Sequence, residues 1–345
     1  MTDRVEAFLA QHNWATATRS PVAAGASTRI LTRLVKTDGS RALLMDTGGV
    51  ERALPKTPYE QTIMPDLKPF ARVDRILRTL GMSAPEIFAE SADGHFLLVE
   101  DFGESELLRL MQNGADPLPL LTLAVDGLLE LQRRFAAQKP DMSGLRHYTP
   151  DFFLSHLAVI PEVYMPLLCG HAPSAEVRQE FDSLWRSALT RACATPTSLM
   201  LRDFSISNSF WLKDRTGTET LGLVDFETAG TGPMIYDLAA MLRYDRFRIP
   251  PDAIDSCRQH FLRALPQLDP VEFEAAWHIF IAMRQVQWAG SCSLYTTQGR
   301  QGFLKNLPGI WNIIEDVSQH PVLAGLRGWF DRHIPPEARR AREAA

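Results

Sequence analysis

Leu201-Arg202-Asp203-Phe204-Ser205-Ile206-Ser207-Asn208 and, a little further on, Leu223-Val224-Asp225-Phe226-Glu227 form the stretch on which the fold turns. Apolar runs at residues 198–201, 210–212 and 221–226 are joined by polar segments, which predicts a small β island. An Asp followed five residues later by an Asn on one loop between strands can bring both side chains to the same cleft. Asp225, at the end of the next strand, can join them. Such a set suits phosphoryl transfer, which needs a group to position the attacking hydroxyl and ligands for a magnesium ion that neutralises phosphate charge. On this reading Asp203 is the catalytic residue, orienting the hydroxyl and accepting its proton, and Asn208 and Asp225 are the metal ligands. The spacing alone is common, and the weight comes from the strands around it. The bland alternative is that Asp203 and Asn208 merely cap a tight turn.

Outward from this island the chain has two characters. Residues 3–12 put Val5, Phe8 and Leu9 on one helical face. Apolar runs at 30–35 and 42–45 flank Lys36-Thr37-Asp38-Gly39-Ser40, a hairpin signature. Residues 47–66 read as a polar loop with Pro55, Pro58 and Pro65. Phe70, Val73, Leu77 and Leu80 then recur at helical spacing before Gly81. Residues 86–90 and 95–100 read as two more strands. From about residue 104 the pattern is helical, clearest at 120–135, 152–168 and 181–192. Helices resume near Tyr236 after the island. The expected architecture is α+β with two lobes: residues 1–100, a small β-rich N-terminal lobe, and residues 101–345, a larger mostly helical lobe holding the β island with the catalytic loop.

The 345 residues are 45% hydrophobic and 22% charged, the balance of a globular protein. A formal net charge of -5 provides no excess of cations for nucleic acid or an anionic membrane. Cys169, Cys193, Cys257 and Cys292 are scattered and suggest neither a zinc site nor a disulfide framework. The start lacks the pattern of a secretory signal, and no apolar run approaches the roughly 20 residues that cross a bilayer. A cytoplasmic protein acting on a small molecule is the expectation.

Asp101-Phe102-Gly103 spells the metal-binding triplet of protein kinases but precedes the catalytic loop by about a hundred residues, whereas a metal-binding Asp should follow it. Its place after a strand fits the connector between lobes, and no metal role is assigned to it. The loop motifs, with Gly232-Pro233-Met234-Ile235-Tyr236-Asp237-Leu238, resemble the aminoglycoside phosphotransferase family, which has a protein-kinase-like fold. Ala24-Gly25-Ala26-Ser27-Thr28-Arg29, Ala42-Leu43-Leu44-Met45-Asp46, Ala84-Pro85-Glu86-Ile87 and Leu98-Val99-Glu100-Asp101-Phe102-Gly103 are most similar to its branch of N-acetylmuramate and N-acetylglucosamine kinases. The resemblance extends to Phe303-Leu304-Lys305-Asn306-Leu307-Pro308.

The resemblance implies an ATP- and Mg2+-dependent kinase with Asp203 as base and Asn208 and Asp225 on the metal. It makes residues 1–100 the ATP-binding lobe and puts the substrate pocket in residues 101–345. It implies that Ala24, Gly25, Ala26, Ser27 and Thr28 cover the ATP phosphates, with Arg29 at their end, and that Glu100, Asp101 and Phe102 lie beside adenine. Asp237 becomes a structural acid under the catalytic loop. In that branch the reaction is phosphorylation of the sugar's anomeric hydroxyl, feeding peptidoglycan recycling.

Three positions depart from the family pattern. Leu201 stands where a His usually supports the loop, Met45 where most kinases place a phosphate-binding Lys, and Ser205 and Ser207 replace bulkier or basic residues. Arg29 or Arg33 supplies the missing cation, or both are solvated strand residues. Gly25, taken alone, is explained equally by turn freedom. Glu227 either reaches the substrate or solvates the loop. Trp277, Trp288 and Trp311 read as core more readily than as sugar platforms, and His147, His156 and His278 as structural. The rival functions are an aminoglycoside or choline-like kinase, and a catalytically silent nucleotide-binding protein with the kinase fold. An aminoglycoside pocket should be acidic, whereas an N-acetylmuramate pocket needs a cation for the lactyl carboxylate.

Overall fold

A computed structural model describes residues 2–22, 29–48, 57–59, 66–243 and 247–341. Residues 24–28, expected over the ATP phosphates, and most of the proline-bearing loop 47–66 lie outside the described residues.

Helix α1 (Thr2–Gln11) leads into strands β1 (Thr18–Val22), β2 (Ile30–Val35) and β3 (Arg41–Asp46). Helix α2 (Lys68–Thr79) and strands β4 (Ile87–Glu90) and β5 (Phe96–Val99) complete the first lobe. The five strands form an antiparallel sheet in the order β1-β2-β3-β5-β4. The expected hairpin pairs Ile30 with Asp46 through Val35 with Arg41. Alternation along β3 and β5 gives the sheet two apolar faces. Leu44, Phe96 and Leu98 pack with Phe8, Leu9 and Trp14 of the N-terminal segment. Met45, Leu97 and Val99 point the other way, into the core that holds Phe70, Val73 and Leu77 of α2. Strand β1 escaped the sequence reading because Thr18-Arg19-Ser20-Pro21 has no apolar alternation; it is an exposed edge strand, where charge and proline discourage further pairing.

The second lobe begins with α3 (Leu107–Gln112) and α4 (Pro117–Gln138), followed by β6 (Arg146–His147), α5 (Pro150–Leu157) and α6 (Ala175–Cys193). The island comprises β7 (Thr197–Met200), β8 (Ser209–Trp211), β9 (Leu221–Leu223) and β10 (Gly230–Pro233). Helices α7 (Tyr236–Leu242), α8 (Pro251–Ala264), α9 (Pro270–Thr297), α10 (Leu307–Val317), α11 (Ala324–His333) and α12 (Pro336–Arg339) follow. Helix α9 is buried on nearly every side and forms the axis of the lobe. Trp277 and Trp311 lie in the core.

Two readings need correction. The helical stretch Pro150–Cys169 is, contrary to expectation, long and apolar enough to cross a membrane by length and composition. It carries Asp151, His156 and Glu162, and Phe153, Leu157, Ile160 and Tyr164 are buried in the lobe, so its apolarity serves the core. Its second part, Ile160–Cys169, winds as a wide π-helix around Pro166, which lacks the N–H that the tighter helix uses. The strand expected over 221–226 also stops at Leu223, and Asp225 adopts a left-handed conformation with φ 60°. Strand β10 was missed because Gly230-Thr231-Gly232-Pro233 reads as a loop. It nevertheless pairs with both β6 and β7. A Cβ on Gly230 would stand 2.1 Å from the carbonyl oxygen of Arg146, so only glycine allows this approach.

Candidate active site

The loop from Leu201 to Asn208 is held from beneath. Asp237, at the start of α7, accepts hydrogen bonds from the backbone N–H groups of Leu201 (2.7 Å) and Arg202 (2.9 Å). Burial pushes its carboxyl up to about 7, against the pull of these two donors. Leu201, in the position of the family's usual His, is buried in the apolar core and steadies the loop by packing instead. Arg202 sits at φ 68°, a conformation costly for a residue with a side chain. Its carbonyl accepts from Arg284 of α9 at 2.8 Å, and the same Arg284 nitrogen reaches the Tyr236 hydroxyl at 3.0 Å.

This clamp presents Asp203 to the cleft, with 41% of its side chain exposed. Arg284 Nη1 lies 3.9 Å from Asp203 Oδ1, and Thr228 Oγ1 lies 3.4 Å from Oδ2. Asn208 Nδ2 donates to the Asp203 carbonyl (2.9 Å) and contacts Asp225 Oδ2 (3.4 Å). The three residues singled out in the sequence therefore meet in one place. Asp225 stands deep in the cleft although 43% of its side chain is open there. Burial raises its carboxyl above the ordinary range, while the Arg29 guanidinium opposes that rise.

Arg29 reaches across from the first lobe. Its Nη2 is 2.5 Å from Asp225 Oδ1 and 2.8 Å from Glu227 Oε1. Glu227 therefore does not simply solvate the loop: one oxygen pairs with Arg29, and the other is buried with no hydrogen-bond partner among the described residues. Burial and the charge of Asp225 push Glu227 up to about 7. The Asp225 carboxylate, the unpartnered Glu227 oxygen and the amide oxygen of Asn208 are hard donors, and a cationic group already stands against the two acids. That set fits a magnesium-type ion.

Arg33 is engaged elsewhere. It binds Asp101 (2.6 and 3.1 Å), Glu104 and the Gly103 carbonyl, tying β2 to the connector between lobes. The Asp101 side chain is only 4% exposed, so it has no freedom to hold a metal. Glu100 is likewise occupied, by Arg215 and by the N–H of Glu86. What Glu100, Asp101 and Phe102 leave available to a nucleotide is therefore mainly backbone and the Phe102 ring. That ring packs against Phe210 and over Gly222, where a Cβ would come within 2.8 Å of it. The hairpin β8–β9 forms the floor here, joined to the connector through Trp211 N–H to Ser105 and to the segment between α2 and β4 through Leu223 N–H to Ser83. Met45 is buried, and no Lys replaces it on β3.

Residues 18–280 match the model of the phosphotransferase enzyme family. The chain belongs to this aminoglycoside phosphotransferase family. It is a small-molecule kinase with the two-lobed α+β fold of its relatives. It is 28% identical to an N-acetylmuramate/N-acetylglucosamine kinase of Caulobacter vibrioides, over 76% of this chain and 74% of that one. It is 24% identical to an enzyme of the same name from Neisseria meningitidis, over 86% and 84%. Among solved structures, a choline/ethanolamine kinase family protein from Mesorhizobium loti superposes with a TM-score of 0.60 at 16% identity, covering 98% of this chain and 99% of that one. A GDP complex of an aminoglycoside 2'-phosphotransferase-IIIa gives 0.58 at 13% identity, over 96% and 99%.

Two members of this phosphotransferase's site had no signal in the sequence: Arg284 and Thr228 approach Asp203 from 81 and 25 residues away. Arg29 was a candidate cation, but its meeting with Asp225 across 196 residues could not be read from the chain. His156 and His278 are structural as read, bonded to the carbonyls of Phe152 and Glu274 within their own helices.

Proposed function

We propose that this kinase transfers the γ-phosphoryl group of ATP to a hydroxyl of an amino sugar of the N-acetylmuramate/N-acetylglucosamine type, with magnesium, in the cytoplasm. The observation that carries the reading is the convergence of Asp203, Asn208 and Asp225, with Asn208 bonded to the first and touching the second acid. The names of the relatives support the acceptor class.

In this mechanism Asp203 is the general base. It accepts the proton of the acceptor hydroxyl as that oxygen bonds to the γ-phosphorus and the bond to the β-phosphate oxygen breaks, releasing ADP. Arg284 and Thr228 hold its carboxylate toward the cleft. Asn208 and Asp225 are the metal ligands, with Glu227 beside them; a bound magnesium supplies charge neutralisation at the phosphates. Arg29 is the cation that replaces the lysine missing at Met45, since Arg33 is committed to the connector. Backbone of Glu100, Asp101 and Phe102 borders the adenine. The first hundred residues thus form the nucleotide-binding lobe, and residues 101–345 carry the catalytic loop and the acceptor pocket.

The test is magnesium-dependent ADP release across a panel of N-acetylmuramate, N-acetylglucosamine, choline and aminoglycosides. Turnover confined to the amino sugars is expected. Turnover confined to choline or an aminoglycoside refutes the acceptor, and tight ATP binding without turnover on any acceptor favours the silent alternative.

A further inference from the structure

Beside the catalytic loop stand cations that the transfer mechanism does not use. Arg202 immediately precedes Asp203, and its guanidinium lies 5.9 Å from the centre of the Phe152 ring. Arg146 of β6 lies 5.0 Å from the same ring. Among the described residues neither arginine has an acid within ion-pair distance, whereas Arg29, Arg33, Arg134, Arg215 and Arg284 all do. The acids on and under this loop are committed. Asp203 is the proposed base, and both oxygens of Asp237 receive backbone N–H groups. Arg284 adds a third positive charge beside the base. The field is felt locally: His156, whose ring packs on Phe152 at 4.2 Å, is held down to about 4 by burial and by the charge of Arg202 and Arg146.

A half-buried guanidinium with no acid partner, fixed next to the catalytic base, is a site for an anion that arrives with the substrate. Its planar fork matches a carboxylate. A polycationic or quaternary-ammonium acceptor would meet like charge here. N-acetylmuramate differs from N-acetylglucosamine by a lactyl ether that carries a carboxylate.

We propose that Arg202, assisted by Arg146, binds a carboxylate of the acceptor, so that the site selects an acidic amino sugar over its neutral counterpart. This rests on the amino-sugar reading above and adds the residues that set the preference.

The test compares kcat/KM for N-acetylmuramate and N-acetylglucosamine in the parent and in Arg202→Gln, Arg202→Lys and Arg146→Gln. The parent should favour the acidic sugar. In Arg202→Gln the ratio of the two values should fall about 10- to 100-fold, the worth of one charge-assisted contact. Arg202→Lys should recover part of it, and Arg146→Gln, at an exposed position that tolerates change, should lower it about threefold. An unchanged ratio overturns the proposal even if both activities drop, because a merely structural role of Arg202 would damage both sugars alike. A parent that phosphorylates neither sugar refutes the amino-sugar reading instead. The panel, with an acidic sugar such as glucuronate and its neutral counterpart glucose added, then decides for Arg202: turnover of this pair with an acid-to-neutral kcat/KM ratio that falls in Arg202→Gln upholds the inference. Choline, an aminoglycoside, a neutral acceptor or no acceptor at all overturns it.

Discussion

Asp237→Asn puts the scaffold of the catalytic loop to a quantitative test. The native carboxylate accepts two backbone N–H groups, from Leu201 at 2.7 Å and Arg202 at 2.9 Å, in a buried position. An asparagine keeps one acceptor oxygen and turns an NH2 group toward the other N–H. One backbone donor and one side-chain donor then lose their partners out of reach of water. Each unsatisfied buried group costs about 1–3 kcal/mol, so the variant should lose roughly 2–6 kcal/mol of stability. The loop is still held on its other side by Arg284 at the Arg202 carbonyl, so it should shift rather than unfold. A displacement on the order of 1 Å at a reacting group can cost about 100-fold in rate, and kcat should fall by about that factor with little change in KM for ATP. Urea melts and coupled ADP-release kinetics measure the two effects. A variant that keeps the parent's urea midpoint and a kcat within about twofold would refute the reasoning. Asp237→Ala, which orphans both backbone donors, should be at least as damaging.

Two other substitutions probe separate features. Arg29→Gln should raise KM for ATP about tenfold, because Met45 is apolar, Arg33 is committed to the connector and Arg41 stands at the far end of the β2–β3 hairpin. The same variant should bind Mn2+ more tightly in calorimetry without nucleotide, since the guanidinium no longer competes at Asp225 and Glu227; an unchanged KM and unchanged metal affinity would count against this role. Asp74, buried in α2, has an oxygen with no hydrogen-bond partner among the described residues, and burial pushes it up to about 7. Between about pH 4 and 7 the folded protein keeps a proton that the unfolded chain releases, so this group lowers stability as pH rises through that window. Asp74→Asn should therefore gain about 1–3 kcal/mol at pH 8 and little at pH 4 in urea melts, and an equal effect at both pH values would exclude the assignment.

The parts of the molecule that were legible in the sequence are those in which neighbours in the chain act together. The β2–β3 hairpin follows from two apolar runs around Asp38-Gly39, and the pattern from Leu201 to Asn208 announces one loop. The position of Asp101 before that loop was enough to separate it from Asp225, and its closed pairing with Arg33 gives the physical reason. Illegible were contacts made by folding alone. Arg29, just before β2, and Arg33, within it, stand four residues apart, with nothing local to tell that one reaches the acids of the far lobe and the other the connector. Arg284 lies in an almost wholly buried helix, where its charge has meaning only because the Arg202 carbonyl and the Tyr236 hydroxyl face it. Strand β10 was hidden because its glycines serve close packing against β6 and β7 instead of a turn.

The central claim is that Asp203, Asn208 and Asp225 form one phosphoryl-transfer site with Asp203 as its base. Magnesium-dependent ADP release with N-acetylmuramate and N-acetylglucosamine, measured for the parent beside Asp203→Asn, tests it most directly. Sugar-dependent turnover should fall at least about 100- to 10,000-fold in the variant, the usual worth of a general base, while ATP binding by calorimetry stays within a few-fold of the parent. Equal turnover in the two proteins would contradict the account.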